Sequence, residues 1–566
     1  MLRNFRLFGA VAALFVIASC GRGPENYDVI ISGGSVYDGE GGEAVVADVG
    51  VKGERVAFIG DLARAKAKER VDASGLSVAP GFVNMLSWAT ESLIEDGRGE
   101  SDIRQGVTLE VMGEGFSMGP LNEAMKKEAV ARQSDIKYDI EWTTLGEYLN
   151  FLVKKGISPN VASFIGATSV RVHEVGYADR PPTKEELARM QELVREAMRE
   201  GALGVGSSLI YAPAFYAQTD ELIALTKAAA EFDGGYISHI RSEGDRYFEA
   251  IDELVTIARE AKTRGQMYHM KPAGQENWAK SAEGLERLRA ARDAGVDVTA
   301  NIYTYTAGAT GLNAAMPPWV QEGGHDAWMA RLKDPEIRAR VIDQIRNVPD
   351  GWENLYRMAG GAENVLLVGF KTAALKPLTG KTLGEVAAMR GTSPEDAIID
   401  LVLEDDSRVD TIYFIMSEEN IERNVAWPYT MFGSDEGAYS PAGVFLESNA
   451  HPRAYGTFAR LFANYVRDRK VISVAEAIRR LTSLPADELR LKDRGRLKPG
   501  YYADVVVFDP QAIQDHATYA EPHQLATGVR DVYVNGVAVL RDGEHTGAKP
   551  GQVVRGPGWT GWPKAD

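Results

Sequence analysis

Residues 234–271 restrict the folds open to this chain more than any other stretch. Gly234-Gly235-Tyr236-Ile237-Ser238-His239-Ile240-Arg241-Ser242-Glu243 and Gly265-Gln266-Met267-Tyr268-His269-Met270-Lys271 are short runs of β-formers, each with a histidine near its C-terminal end. Residues 245–264 between them read as one amphipathic helix. Leu254, Ile257 and Ala258 share a face, while Glu253, Arg259, Glu260 and Lys262 lie on others. A strand–helix–strand unit makes its two strands parallel neighbours. In a barrel of such units the C-terminal strand ends face the active site. His239 and His269 are then placed to share a metal. The same pattern also fits two half-buried histidines satisfied by hydrogen bonds.

The middle of the chain repeats this alternation. Strand-like runs occur at 78–86, 107–113, 161–167, 202–208, 235–239, 266–271, 296–305 and 430–435, separated by helical patterns such as 184–200 and 220–231. Eight strands alternating with helices predict a TIM-type (β/α)8 barrel. Residues 316–423 are too many for a barrel loop and hold their own helical patterns (337–345, 382–388, 394–403) and a strand, 365–368. They read as an insertion after strand seven, on the active-site face, where it can act as a lid. β-patterned segments near both ends, at 28–32, 47–59, 503–509 and 529–536, predict one small β-sandwich built from the two termini.

At 566 residues, 45% of them hydrophobic, the chain can bury a large core. The net charge of −17 argues against a nucleic-acid partner, which needs a basic surface. With one cysteine, neither a disulfide within the chain nor a cysteine metal cluster is possible. That residue is Cys20. It follows Arg3, Arg6, an apolar run over 7–17, and Ala18-Ser19. The run is a secretory signal, too short to span a bilayer. Ile17-Ala18-Ser19-Cys20 resembles a bacterial lipobox, which implies lipidation of Cys20 and anchoring to a membrane. Gly21 is not the aspartate that usually retains lipoproteins in the inner membrane. The implied location is therefore the outer membrane of a Gram-negative bacterium, facing the periplasm. The expected division is a signal peptide over 1–19, a lipidated tether over 20–26, β-sandwich over 27–76, barrel over 77–490, β-sandwich again over 491–546, and a loosely ordered Gly/Pro-rich tail over 547–566.

Several motifs, in order along the chain, resemble the amidohydrolase superfamily and within it the N-acyl-D-amino-acid deacylases. They include Val78-Ala79-Pro80-Gly81-Phe82, Ser238-His239-Ile240-Arg241, Tyr303-Thr304-Tyr305-Thr306-Ala307-Gly308, Gly433-Ser434-Asp435, His451-Pro452-Arg453-Ala454-Tyr455-Gly456 and Arg496-Leu497-Lys498-Pro499-Gly500. The departures are equally informative. The superfamily usually ends strand one with His-x-His, two metal ligands; here Met85 and Ser87 stand at those positions. A thioether is a poor zinc ligand and a neutral hydroxyl a weak one, so that metal position is expected to be lost. Glu114 stands where the deacylases often place a metal-touching cysteine. With His239 and His269 it makes a His₂Glu set, a known three-ligand arrangement for one catalytic zinc.

The resemblance implies further roles. Asp435, at the end of strand eight, matches the aspartate that takes the proton from the attacking water and passes it to the leaving nitrogen. Arg453 matches the arginine that binds the substrate's free α-carboxylate through two parallel hydrogen bonds. Tyr303 matches a substrate-contacting tyrosine. Strand alternation, not the resemblance, singles out Lys271: two residues after His269 and on the same face if the strand continues, it is placed to reach the substrate carboxylate or the developing oxyanion, or to form a structural ion pair. Ser242 stands where the family often has aspartate, so the support behind the ligands is expected to differ. The expected activity is zinc-dependent hydrolysis of the amide bond of N-acyl-D-amino acids or related small peptides. The competing readings are a dipeptidase or imidase of the same superfamily, or a non-catalytic surface lipoprotein that binds small ligands.

Overall fold

In the computed structural model, residues 26–349 and 351–561 are described. The expected signal peptide and Cys20 lie outside them. The protein is α/β. Six parallel strands form one sheet in the order Thr430–Phe432, Val298–Ile302, Gly265–Met267, Gly235–His239, Gly204–Ser208 and Ile165–Gly166; a second sheet pairs Phe82–Asn84, Val107–Met112 and Asn160–Ser163. The two sheets adjoin at Phe164, which interrupts the third strand, with Phe164 N–H donating to Met112 O (2.9 Å) and Leu203 N–H to Ser163 O (3.0 Å). They adjoin again where Met85 N–H donates to Phe432 O (3.0 Å) and Asp435 N–H to Leu86 O (2.8 Å).

The helices follow from the pattern of the sequence. The linker between the two histidine strands is the helix Tyr247–Ala261, and its buried face includes Leu254, Ile257 and Ala258. Lys184–Arg199 begins with a reciprocal cap, in which Thr183 accepts from the Glu186 N–H and Glu186 accepts from the Thr183 N–H.

Four of these readings gain detail from the structure. The run 78–86 is two strands: Ser77–Pro80 pairs antiparallel with Val505–Phe508 in the terminal sheet, and only Phe82–Asn84 joins the body. The break falls at Gly81, where a Cβ would lie 2.1 Å from the Thr108 hydroxyl oxygen. The terminal segments join by hydrogen bonding into one nine-stranded sheet, in which Ser77–Pro80 connects the N-terminal strands to the C-terminal ones. The insertion carries two strands where one was expected: Val365–Gly369 and Asp410–Tyr413 form an antiparallel three-stranded sheet with Gly308–Gly311, which precedes the insertion. The tail is held in place through residue 556. Gly551 N–H donates to Ile157 O, Val554 N–H to Val161 O and Gly556 N–H to Gly201 O, each at 2.8 Å. Its glycines allow this approach, since a Cβ at Gly551 would lie 2.1 Å from the Pro159 carbonyl oxygen.

Candidate metal centre

Glu114, His239 and His269 meet at the C-terminal ends of their strands. One ligand atom from each lies within 4.8 Å of the others, and all three side chains are buried. Glu114 Oε1 is 2.9 Å from His269 Nε2 and 3.3 Å from His239 Nδ1. A tetrahedral zinc with bonds of about 2.0–2.1 Å spaces its ligand atoms about 3.3 Å apart, so the set fits that ion. Backbone geometry delivers these groups. Gly113 and Gly115, on either side of Glu114, have φ of +106° and +69°. His269 has φ of +32°, uncommon for a residue with a Cβ, and its N–H is held by Asn301 Oδ1 at 2.8 Å.

Behind the triad stands Glu243, a residue given no role from sequence although it closes the first histidine motif. Its Oε1 is 3.0 Å from His269 Nδ1 and its Oε2 is 3.9 Å from His239 Nε2. It thus faces the far nitrogen of both rings, leaving His269 Nε2 and His239 Nδ1 for a metal. Lys271 Nζ donates to Glu243 Oε1 at 2.7 Å, an ion pair of the kind expected as one of its alternatives. Burial alone would raise the Glu243 carboxyl, but Lys271, His239 and His269 outweigh it and hold it at about 2. Burial and Lys271 push His269 down, yet Glu243 and Glu114 together raise it to about 9. Glu114, buried but flanked by the two imidazoles, lies well below the usual carboxylate range. The insertion reaches this layer: Glu353 Oε1 accepts from the Gly244 N–H at 2.6 Å and from the Ser242 hydroxyl.

Asp435 lies beside the triad in a left-handed conformation, φ +56°. Burial raises its carboxyl and Arg453 opposes that rise. Arg453 Nη1 is 2.8 Å from Asp435 Oδ2, and Arg453 Nη2 donates to the Asp435 carbonyl at 2.7 Å. Arg453 Nε and Nη1 nevertheless have no aligned hydrogen-bond acceptor among the described residues. The guanidinium sits 4.4 Å from the centroid of the Tyr303 ring, whose buried hydroxyl also lacks a partner. The structure thus gathers Glu114, His239, His269, Lys271, Tyr303, Asp435 and Arg453 into one region. Trp88, which sequence reasoning missed, belongs to it: its indole N–H donates to Glu114 Oε2 (3.1 Å) and to Asp435 Oδ1 (3.2 Å). Its place directly after Ser87 was the available signal. Met85 is fully buried in apolar packing with Val111 and Met431, and the Ser87 hydroxyl accepts from the Ala89 N–H at 3.2 Å. Neither completes the triad.

The chain matches the amidohydrolase family over residues 69–540. It is 33% identical over 531 residues to a D-aminoacylase of Alcaligenes xylosoxydans xylosoxydans, an alignment covering 93% of this chain and 97% of that protein. It superposes with a TM-score of 0.77 and 31% identity on a D-aminoacylase with a binuclear metal centre, described by one-metal activation and second-metal attenuation; 94% of this chain and 100% of that one are covered. With the same score and 29% identity it superposes on the N-acyl-D-glutamate deacylase of Bordetella bronchiseptica, solved with zinc and a phosphonate mimic of the tetrahedral intermediate, over 94% of this chain and 100% of that one. The chain belongs to the amidohydrolase family and is a metal-dependent hydrolase with N-acyl-D-amino-acid deacylases as its homologues.

Proposed function

We propose that this enzyme hydrolyses the amide bond of N-acyl-D-amino acids with one zinc ion, on a TIM-type barrel. The reading is carried by one arrangement: a buried Glu114–His239–His269 triad beside Asp435, with Arg453 paired to Asp435 and its Nε lacking an acceptor among the described residues. The backbone links at Phe164 and between Met85 and Phe432 support the barrel. Zinc held by three protein ligands supplies Lewis acidity, polarising a carbonyl and acidifying water. Arg453, whose Nε has no acceptor among the described residues, offers a substrate carboxylate a charged donor beside Asp435. Tyr303 donates its free hydroxyl to the substrate. Asp435 accepts the proton of the attacking water and returns it to the amide nitrogen, which otherwise leaves poorly. A bound carboxylate favours linear acylated amino acids over cyclic imides, which have none.

The homologues named above also support the N-acyl-D-amino-acid class. The test is a panel of N-acyl-D- and N-acyl-L-amino acids together with metal analysis. The expected result is about one zinc per chain and turnover of the D series. Asp435→Asn should retain zinc and lose about 10²- to 10⁴-fold in kcat. Arg453→Lys should weaken turnover of the free acid by roughly 1.5–3 kcal/mol and scarcely affect the matching C-terminal amide. Protein without zinc, or an equal loss on acid and amide, would overturn this reading. The lipobox-like segment supports anchorage at Cys20 to the outer membrane, facing the periplasm.

A further inference from the structure

We propose that the Trp88 indole N–H is a positioning donor that ties the metal ligand Glu114 to Asp435, in place of a second cation between them. The proposal rests on the reading of Asp435 as the proton carrier. A single nitrogen lies 3.1 Å from Glu114 Oε2 and 3.2 Å from Asp435 Oδ1. Glu114 Oε1 faces both histidines, so Oε2 is the atom through which the carboxylate's orientation can be fixed. On Asp435 the opposite oxygen, Oδ2, faces Arg453. Trp88 and Arg453 therefore set the plane of that carboxylate from its two sides. Each carboxylate oxygen has two lone pairs, so the indole bond leaves Asp435 able to accept a proton.

Two carboxylates this close repel unless a cation or a shared donor stands between them. The residues that would complete a second cation site do not do so: Met85 is sunk in apolar packing and the Ser87 hydroxyl is engaged with the Ala89 N–H. The indole supplies the donor instead. Its backbone is pinned, with the Trp88 N–H on Glu436 O at 2.8 Å and the Ser87 N–H on Val111 O at 2.9 Å.

Trp88→Phe keeps an aromatic ring and removes the N–H. Zinc affinity, measured by titrating metal into the metal-free full-length protein, should fall about 10- to 100-fold, the range for loss of a ligand's outer partner. At saturating zinc, kcat should fall about 10- to 100-fold as Asp435 loses its alignment, with KM nearly unchanged. A parent-like zinc affinity, a parent-like kcat, or an effect confined to KM would each overturn the proposal. A parent that binds no zinc would instead overturn the functional reading itself. Should Trp88→Phe not fold, the parent labelled with ¹⁵N at its indoles reports the same contact. One indole N–H signal should move both on adding zinc to the metal-free protein and on Asp435→Asn. No signal responding to both would equally refute the link.

Discussion

Glu243 shows how a single buried charge organises the centre. It faces both imidazoles and holds Lys271. Glu243→Gln keeps the shape and removes the charge. Zinc affinity should fall about 10- to 100-fold in a metal titration, while Met85→Ala should leave zinc stoichiometry unchanged. A second buried carboxyl, Glu110, lies deeper, where Asn84 Nδ2 bridges it to Asp102 at 3.0 and 3.2 Å. Burial raises Glu110 from 4.5 to about 7, against the hydrogen bonds from Ser87 and Asn84. Its folded value exceeds its unfolded one, so the folded state binds the extra proton between them. The associated stability is full below about 4.5 and is lost as the pH rises through about 7. Glu110→Gln cannot ionise and should lose less thermal stability than the parent across that window in melting experiments at stepped pH.

At the scale of elements, the turn after the strand Val107–Met112 decides where Glu114 arrives. A Cβ at Gly113 would lie 2.3 Å from the Phe164 carbonyl oxygen, on a backbone already at φ +106°. Gly113→Ala should therefore cost stability and also displace Glu114, so zinc content should fall with the melting temperature. Gly295, at φ +85° with nothing near its missing Cβ, is the matched control. Gly295→Ala should show only the strain of roughly 1–3 kcal/mol, with zinc retained. The insertion is coupled to the centre through Glu353, whose carboxylate caps the Ser242–Gly244 turn. The Ser242 hydroxyl supports that turn in partnership with the insertion.

In the whole molecule, chain ends far apart in sequence close on the body. Asn535 Nδ2 donates to Asn160 Oδ1 at 2.8 Å, and the Asn535 N–H donates to Asp504 Oδ1 at 2.9 Å, in a buried link between the terminal sheet and the third body strand. The segment beyond Gly547 adds backbone bonds to residues 157, 161 and 201. Truncation after Gly547 should lower the melting temperature and speed proteolysis, as a loosely attached tail would not. Cys20→Ser should move the protein from the membrane fraction to the soluble one with specific activity nearly intact. Processing to a mature terminus other than Cys20 would refute the anchor.

Local pattern carries far in this chain. The period of the apolar residues between His239 and His269 marks the helix, a strand-end histidine is visible as such, and Glu114 is found because it fills a motif position next to glycines. Three things depended on packing between distant segments. Trp88 acquires its role only when residues 114 and 435 are brought to one nitrogen. Glu243 acquires its role when the end of one strand is laid against the neighbouring histidine. The tail is Gly/Pro-rich, which reads as loose, yet those glycines are what permit backbone contact with Pro159 and Ala202. Sequence determines periodicity and residue chemistry because both are local. Which carboxylate meets which donor is decided by the tertiary structure, since burial and distance, unlike composition, are properties of pairs of segments brought together by the fold.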